Sequence, residues 1–326
     1  MNTAGRLLAV DGGNSKTDVA LVAMDGSVLA TVRGGGFDPG QTGLAPAVDR
    51  LEEAVRRAAG PGAAPPYAGH VAAYLANADF PEEEAAIAAE LAGRGLAGSV
   101  TVGNDTFALL RAGAANPWGV AVVCGAGMNA VGVSPTGQVA RFPALGALSG
   151  DWGGGLDLGT DVLWHAVRAE DGRGPDTVLT ELVKERFGVA TVLEVVLELH
   201  AGRIECAGLQ VLAPGLFEVA QAGDAVARSI VGRQAAEVVA MAEVCLRRLD
   251  LLDTPAEVVL GGGVLAARHP LLEARLEEEF ARRAPQAKPV VADLPPLAGA
   301  ALLGLEHLGA GETAKARLRA HFQASR

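Results

Sequence analysis

One structural pattern occurs twice in this chain: a short apolar strand, a glycine turn, a second strand, a tight turn and a third strand. The first copy covers residues 7–32, with Asp11-Gly12-Gly13 at the glycine turn and Asp25-Gly26 at the tight turn. The second copy starts about 110 residues later, with a strand predicted for Gly119–Cys124 and a glycine turn at Gly125-Ala126-Gly127. A unit repeated once at that distance predicts two similar halves rather than a solenoid.

The rest of the chain alternates between helical and strand patterns, and its 326 residues suggest about two domains. A run of three glycines, Gly34–Gly36, is expected to end the third strand of the first unit. The patterns predict further strands at 71–75, 99–102, 257–260 and 289–292, and helices at 42–59, 81–92, 224–249, 270–283, 297–308 and 312–323.

Charge and cysteine content exclude several classes of protein. The net charge is −11 and no Lys/Arg-rich run occurs, so we expect binding neither to nucleic acid nor to an anionic membrane. The three cysteines, Cys124, Cys206 and Cys245, are far apart, which is typical of a reducing cytoplasm and not of a metal centre. We expect no signal peptide and no transmembrane helix, because the apolar runs are too short.

Three glycine clusters each follow a predicted strand, and the third is Gly261-Gly262-Gly263. Glycine lets backbone N–H groups approach a ligand closely, and consecutive N–H groups in such turns form anion-binding nests. A strand, not a helix, follows Gly12-Gly13 and Gly125-Ala126-Gly127, which argues against a Rossmann fingerprint. The Walker pattern is absent from the sequence. The clusters therefore indicate a different mode of phosphate binding.

These motifs resemble those of the actin/hexokinase/Hsp70 superfamily. Residues 11–18 (DGGNSKTD) resemble its first phosphate loop, residues 125–129 (GAGMN) its second, and residues 261–263 its adenosine motif. The resemblance implies an α/β fold of two duplicated actin/hexokinase-like (ribonuclease H-like) domains around a nucleotide cleft. It implies an N-terminal lobe at 1–115, completed by the C-terminal helix at about 297–326, and a larger lobe with a helical insertion at 116–296.

Within that superfamily the chain most resembles the N-acetylglucosamine kinase branch, grouped with the BadF/BadG/BcrA/BcrD-type ATPases. Gly34–Pro39 resembles the sugar-loop pattern G-G-G-x-N-P, and Gly103-Asn104-Asp105 lies where the branch has its catalytic aspartate. Gly146 with Gly150–Gly153 resembles the segment G-x-x-x-G-D-E-G, and Ala222-Gly223-Asp224 precedes a long helix as in the branch. The resemblance extends over about residues 6–310.

The resemblance implies an ATP-dependent kinase that phosphorylates an amino sugar, N-acetylglucosamine or glucosamine. Asp105 would be the general base and a second candidate metal contact, and Asp11 would hold Mg²⁺ through water. The implied ATP contacts are Gly12, Gly13, Asn14, Ser15, Lys16, Thr17, Gly125, Ala126, Gly127, Met128, Gly261, Gly262 and Gly263. The implied acceptor contacts are Asp38, Asp79, Asn104, Asp105, Asn129, Gly146 and Asp151.

Several of these carboxylates also have a purely structural interpretation. Asp11 could cap a turn, and Asp105 could be the N-cap of the helix that follows it. Asp79 could be the N-cap of the helix that begins at Pro81. Cys124, next to the second glycine turn, is expected to be a small buried hydrophobe.

Three residues depart from the branch's pattern, and all three lie near the expected acceptor or phosphate sites. Asp38 replaces the sugar-loop Asn, which would favour an amino sugar over an acetamido sugar. Trp152 replaces the expected Glu and would stack on a sugar or fill a pocket, while Met128 replaces a small hydroxyl residue. Met128 would lose a hydrogen bond to a phosphate or a sugar. The core ATP residues are intact, so the main expected change is in the acceptor pocket.

Two alternatives remain open from the sequence. One is an ATPase activator of a radical dehydratase or reductase, which needs a cysteine pair from each subunit for a shared cluster. The other is a non-catalytic nucleotide-dependent regulator or an actin-like filament. The resemblance also implies a homodimer that forms through the larger lobe.

Overall fold

Two five-stranded sheets organise the chain in the computed structural model, which describes residues 3–324. The first compact unit contains residues 3–121, 135–137 and 292–324, and the second contains 122–134 and 138–291. The boundary between them falls within the sixth strand.

The strand order of the first sheet is β3-β2-β1-β4-β5, and that of the second is β10-β9-β6-β7-β8. The strands are Arg6–Gly12 (β1), Lys16–Ala23 (β2), Val28–Gly35 (β3), Ala68–Leu75 (β4), Ala97–Asn104 (β5), Gly119–Cys124 (β6), Met128–Val133 (β7), Val139–Arg141 (β8), Glu257–Gly261 (β9) and Lys288–Val291 (β10). Both sheets are mixed: β1 is antiparallel to β2 and parallel to β4, while β7 and β8 are antiparallel and β9 and β10 are parallel. Each copy of the glycine-turn pattern therefore forms three neighbouring strands, β1–β3 in the first sheet and β6–β8 in the second.

The chain has thirteen helices within residues 3–324, and five of them, α5–α9, follow one another between β8 and β9. They are Pro39–Thr42 (α1), Leu44–Ala59 (α2), Pro81–Gly93 (α3), Asp105–Gly113 (α4), Gly155–Glu170 (α5), Leu179–Phe187 (α6), Val192–His200 (α7), Ala213–Ala222 (α8), Ala225–Arg248 (α9), Gly263–Ala266 (α10), Pro270–Arg283 (α11), Pro296–His307 (α12) and Glu312–Ala324 (α13). The predicted strands and helices are thus present, with ends that differ by a few residues.

The first sheet has an apolar core on each face, because side chains alternate along its strands. On one face, Leu8 and Val10 of β1 pack in a buried cluster with Val48 and Leu51 of α2 and Leu91 of α3. On the other face, Leu7 and Ala9 belong to a second buried cluster together with Ala108 of α4 and Leu302 of α12. The unit is therefore a helix–sheet–helix sandwich, and the C-terminal helices complete it.

Two glycines allow α12 to lie close to its neighbours. A Cβ at Gly299 would lie 1.8 Å from the carbonyl oxygen of Ala108, and a Cβ at Gly304 would lie 2.6 Å from Leu7 Cδ1. Any larger side chain would force the helix away from α4 and β1.

In the second unit, the 24-residue helix α9 lies against β7 and packs on α8 and α11. The carboxylate of Asp224 caps this helix by accepting a hydrogen bond from the N–H of Ala227 at 2.8 Å. Half of the helix residues are buried, which accounts for its length without interruption.

Two predicted boundaries were wrong. Gly34 and Gly35 continue β3 instead of ending it, and they pair with Thr17 and Lys16 of β2. They can do so because the hydrogen bonds between strands involve only the backbone. Gly34 also lets α2 lie close to the strand, since a Cβ on Gly34 would lie 3.0 Å from the Cβ of Ala54. The helix predicted at 42–59 is divided, because Gly43 has φ +83° and separates α1 from α2.

No helix among residues 3–324 combines the length and the apolar character that a membrane span requires.

Candidate active site

Three parallel strands of the first sheet end side by side. Gly12 at the end of β1 is in register with Leu75 of β4, and Leu75 is in register with Asn104 at the end of β5. Asp11 directly precedes Gly12 and Asp105 directly follows Asn104. The two carboxylates therefore lie at the same edge of the sheet. The carboxyl edge of parallel strands is the usual place for ligands in α/β folds.

Asp11 has an unusual electrostatic environment for a carboxylate. Burial and the negative charges of Asp105 and Asp18 raise the pKa of Asp11 to about 7, although Lys16 and Arg33 lower it. A buried carboxylate of this kind favours either a proton or a bound cation. The turn-cap interpretation of Asp11 stays a prediction.

Asp105 is the first residue of α4. Burial raises the pKa of its carboxyl to about 6, although hydrogen bonds from its own N–H and that of Thr106 lower it. The N-cap interpretation was wrong, because Asn104 occupies that position and its Oδ1 accepts from the N–H of Thr106 at 3.1 Å. The carboxylate of Asp105 is thus held at a helix N-terminus without serving as the cap.

The two predicted acceptor residues Asn104 and Asp79 are joined to each other. Asn104 is 2 % exposed, and its Nδ2 donates to Oδ1 of Asp79 at 2.8 Å. The N-cap of α3 is Phe80 and not Asp79, so that structural interpretation was also wrong. Instead, Glu83 accepts from the N–H groups of Asp79 and Phe80 at 2.9 and 3.1 Å. Asn104 connects the loop after β4 to the start of α4.

The first glycine turn is a tight hairpin. The N–H of Gly13 donates to the carbonyl of Lys16 at 2.8 Å, and Asn14, Ser15 and Lys16 are exposed at the tip. Thr17 is 2 % exposed and belongs to β2, so its side chain is buried on one face of the first sheet.

Lys16 is already engaged in an ion pair. Its Nζ lies 2.9 Å from Oδ2 of Asp18, and Nε of Arg33 lies 2.7 Å from Oδ1 of the same carboxylate. The hydrogen bonds from both cations hold the pKa of Asp18 below its usual value despite its partial burial. Asp18 therefore fixes two cations beside the first glycine turn.

Asp38 caps the short helix α1, and its Oδ1 accepts from the N–H of Gln41 at 3.1 Å. The residue before it, Phe37, is fully buried and donates its N–H to the carbonyl of Gly13 at 2.9 Å. The segment that contains the predicted acceptor contact Asp38 is thus fixed to the first glycine turn.

Sequence reasoning missed Asn77, in the loop after β4. Its Nδ2 donates to Oδ1 of Asn14 at 2.6 Å and to the carbonyl of Phe37 at 3.4 Å. Its backbone is left-handed, with φ +62°. Asn tolerates that conformation better than most residues, which is the one signal that could have drawn attention to it.

In the second unit, the glycine turn after β6 is anchored on α5. The carbonyls of Gly125 and Ala126 accept from the N–H groups of Gly155 and Leu156 at 2.8 and 3.0 Å. Gly154 has φ +88°, and a Cβ there would lie 2.6 Å from the Cα of Gly127. The start of α5 therefore fits against the turn only when glycine precedes it.

Met128 is 8 % exposed and is held by a residue that sequence reasoning missed, the fully buried Gln234 of α9. Nε2 of Gln234 lies 3.0 Å from the sulfur of Met128, and Oε1 accepts from the N–H of Gly154 at 3.0 Å. A buried amide satisfied at both ends fixes the second glycine turn in relation to α5 and α9.

The third glycine cluster reaches the same end of the second sheet. Gly261 ends β9 and Gly262 has φ +84°; a Cβ on Gly262 would lie 2.4 Å from the backbone of Cys124. Cys124 is fully buried, as expected, and burial raises the pKa of its thiol to about 12. The glycine clusters at 125–127 and 261–263 are therefore close together.

The segment around Asp151 is ordered by local hydrogen bonds. The N–H groups of Ser149 and Asp151 both donate to the carbonyl of Gly146 at 3.0 Å, and the Ser149 hydroxyl donates to the Asp151 carboxylate. The guanidinium of Arg233 lies 3.8 Å from the ring centroid of Trp152, so it covers one face of the indole.

The remaining predicted contact in this unit is Asn129, on β7. Its Oδ1 accepts from the N–H of Ala130 at 2.7 Å. The predicted residues thus form two sets, each ordered within its own unit. The first comprises Asp11, Asn14, Asp38, Asp79, Asn104 and Asp105, and the second comprises Gly125, Met128, Asn129, Asp151 and Gly262.

Residues 3–324 contain no group of three or more His, Cys, Asp or Glu arranged to hold a metal ion. Mg²⁺ needs less than this, since it keeps most of its waters and takes one or two carboxylates with substrate phosphates. Asp11 and Asp105 provide two such carboxylates at one edge of the sheet.

The chain matches known proteins over most of its length. The model of the BadF/BadG/BcrA/BcrD ATPase family matches residues 8–304. The N-acetyl-D-glucosamine kinase of Dictyostelium discoideum is 27% identical over 208 residues, which are 63% of this chain and 65% of that enzyme. The N-acetylmuramic acid/N-acetylglucosamine kinase of Clostridium acetobutylicum is 23% identical over 79% of this chain and 85% of that protein.

Among solved structures, a candidate N-acetylglucosamine kinase from Chromobacterium violaceum has the same fold. Its TM-score is 0.73 at 25% sequence identity, and the match covers 92% of this chain and 99% of the other. The aligned part of the Dictyostelium enzyme is about two thirds of its length, at 65%.

Proposed function

Because the chain belongs to the BadF/BadG/BcrA/BcrD ATPase family, we propose that it is an ATP-dependent sugar kinase. The reaction would transfer the γ-phosphoryl group to a hydroxyl of an amino sugar, N-acetylglucosamine or glucosamine. The single observation that supports this most is the position of Asp105, a buried carboxylate with a raised pKa, beside Asp11 and the first glycine turn.

Asp105 is the proposed general base. Because the pKa of its carboxyl is about 6, the group is largely ionised at pH 7 and still basic enough to accept a hydroxyl proton. The N-terminus of α4 stabilises this negative charge, and Asn104 fixes the position of the first helical turn.

Asp11 is the proposed carboxylate for Mg²⁺, through water, with Asp105 as a second candidate. The pair fits a cation because burial and mutual repulsion both disfavour two free negative charges there. When bound, Mg²⁺ would neutralise charge on the β- and γ-phosphates. Lys16 and Arg33, fixed by Asp18, add positive charge beside the turn.

The glycine turns are the proposed phosphate and nucleoside sites. Backbone N–H groups at the exposed tip of 13–16 would donate to the β- and γ-phosphates. The turn at 125–128 would hold phosphate as well, and the cluster at 261–263 would contact the nucleoside. The anchoring of both later turns by close backbone packing supports a preorganised site.

The acceptor would be bound by polar side chains and backbone groups. The proposed contacts are Asp38, Asp79, Asn104, Asp105, Asn129, Gly146 and Asp151. Asp38 in the acceptor loop favours a sugar that can donate hydrogen bonds or carry an ammonium group. Trp152 has one face covered by Arg233, so it would offer a sugar at most its other face.

We also propose that the protein is a cytoplasmic homodimer that acts without nucleic acid or membrane partners, and that its two halves arose by duplication. The identical strand arrangement of the two sheets supports the duplication. Light scattering would test the dimer, which should have twice the chain mass of 33.0 kDa.

The experiment that tests the function is ADP release from Mg-ATP against a panel of N-acetylglucosamine, glucosamine, N-acetylmuramic acid, N-acetylmannosamine and glucose. We expect turnover that depends on an amino sugar. ATP hydrolysis at one rate with every sugar and without sugar would contradict the proposal and favour an ATPase of another kind.

A further inference from the structure

Asn77 lies where three loops of the first unit meet. It follows β4, whose last residue Leu75 is in register with Gly12 and Asn104. The N–H of Ala76 donates to the carbonyl of Gly12 at 2.7 Å, which fixes the start of this loop on the first glycine turn.

The side chain of Asn77 bonds to two different loops through one nitrogen. Nδ2 donates to Oδ1 of Asn14, at the exposed tip of the first glycine turn, and to the carbonyl of Phe37, next to the proposed acceptor contact Asp38. The side chain of Asn77 therefore links the proposed phosphate loop to the proposed acceptor loop.

The backbones of these loops are already in close contact. The N–H of Phe37 donates to the carbonyl of Gly13 at 2.9 Å, and a Cβ at Gly36 would lie 1.9 Å from the carbonyl oxygen of Asn14. The backbones of the two loops are therefore packed together by the fold, including the backbone of Asn14. The amide of Asn77 adds a hydrogen bond that holds the Asn14 side chain.

We propose that Asn77 is a positioning residue that couples the two substrates, so that each one bound raises the affinity for the other. This rests on the proposed function. A nucleotide that orders Asn14 would order Phe37 and Asp38 through Asn77, and an acceptor bound at Asp38 would order the phosphate loop in return. Such coupling is reciprocal, because both affinities change by the same factor.

Two variants distinguish the effect of the Asn77 side-chain amide from the effect of its left-handed backbone. Asn77→Gly removes both hydrogen bonds but keeps the left-handed conformation, which glycine adopts without strain. Asn77→Asp keeps the shape and replaces the donor by an acceptor that faces two oxygens. A matched control is Asp250→Gly, because Asp250 is an exposed left-handed residue with φ +56° after α9.

The test is initial-rate kinetics with Mg-ATP and the acceptor varied together, which gives the factor by which one substrate changes the affinity for the other. We expect a factor of about 5 or more in the wild type and in Asp250→Gly. We expect a factor near 1 in Asn77→Gly and in Asn77→Asp. A merely structural role would raise both KM values and leave this factor unchanged.

A double-mutant cycle with Asn14→Ala tests the same bond from its other side. We expect the effects of the Asn14 and Asn77 substitutions on the coupling factor to be strongly non-additive. If Asn77→Gly does not fold, Asn14→Ala alone provides the test, and we expect it to lower the coupling factor. A wild-type factor of 1 with sugar turnover intact, or variants that keep the wild-type factor, would overturn the inference but leave the kinase proposal standing. A protein that phosphorylates no sugar would overturn both.

Discussion

At the residue scale, the two carboxylates at one edge of the first sheet have different environments. Asp11 is the more perturbed, because it carries the repulsion of its neighbours as well as burial. Asp105 is buried but held by backbone N–H groups at a helix start. This contrast supports the proposal that Asp105 accepts the proton and that Asp11 binds the cation.

Replacing Asp105 by Asn should remove the proposed base and leave the site's shape nearly unchanged. We expect kcat to fall by about 10²–10⁴-fold, with a small change in the KM for ATP. Steady-state kinetics beside Asp25→Asn, an exposed carboxylate in the β2–β3 turn, provide the control. A kcat within a few fold of wild type would exclude Asp105 as the base.

Replacing Gly154 by Ala should disturb the second glycine turn. Its Cβ would lie 2.6 Å from the backbone of Gly127, whereas Gly137 has a similar φ of +84° and no atom within 4 Å. We expect Gly137→Ala to cost only the left-handed strain of about 1–2 kcal/mol. Gly154→Ala should cost at least about 1 kcal/mol more and raise the KM for ATP.

Urea unfolding of both variants and ATP kinetics measure this difference. Equal losses of stability and an unchanged KM for ATP in Gly154→Ala would show that the close packing does not shape the turn.

The sequence could predict the residues whose chemistry is local, and it missed those whose role depends on distant partners. Asp105 and the glycine turns belong to short motifs next to strands. Gln234 and Asn77 were missed because their partners, Met128 and Asn14, are far away in sequence. Asn104 and Asp79 were identified, but their mutual hydrogen bond was not.

At the element scale, a stacked pair of histidines joins α12 to the first sheet beside their apolar contacts. The rings of His70 on β4 and His307 on α12 stack with centroids 4.3 Å apart. His70 is fully buried, and its Nδ1 lies 2.8 Å from the hydroxyl of Ser99. Burial, and then the charge of His307, lower the pKa of His70 to about 4.

This lowered pKa predicts that the free energy of unfolding decreases as the pH is lowered. Between the ordinary pKa of 6.5 and about 4, the unfolded chain binds a proton that the folded one does not. Stability is therefore lost as the pH is lowered through this window, by about 2 kcal/mol between pH 7 and pH 5. Urea unfolding of the wild type and of His70→Gln at both pH values measures it.

In His70→Gln this part of the pH dependence should disappear, whereas His200→Gln, an exposed histidine on α7, should behave as wild type. If the free energy of unfolding of His70→Gln depended on pH as in the wild type, His70 would be protonated in the folded state with little cost.

Element boundaries followed from turn chemistry, and the exceptions have physical causes. Asp25-Gly26 and the apolar runs on either side of it predicted β2 and the start of β3. The continuation of β3 through Gly34 and Gly35 could not be predicted, because the ladder to β2 and the packing of α2 decide it. The break at Gly43 depends on a positive φ that no local pattern requires.

At the scale of the whole molecule, ligand binding should be visible as stability. A ligand at about 100 times its Kd adds about 2.7 kcal/mol when it binds only the folded state. We expect Mg-ATP to raise Tm by several degrees, and ATP with a chelator to raise it less. In Asp11→Asn, Mg-ATP and ATP with a chelator should raise Tm by the same small amount. Equal shifts with and without Mg²⁺ in the wild type would contradict the metal role of Asp11.

The measurement that tests the central proposal most directly is transfer of the labelled γ-phosphate of ATP to N-acetylglucosamine and to glucosamine, followed by isolation of the sugar. We expect label on an amino sugar with the wild type, and at least about 10²-fold slower labelling with Asp105→Asn. Label found only as inorganic phosphate, at the same rate with and without either sugar, would contradict the proposed kinase activity.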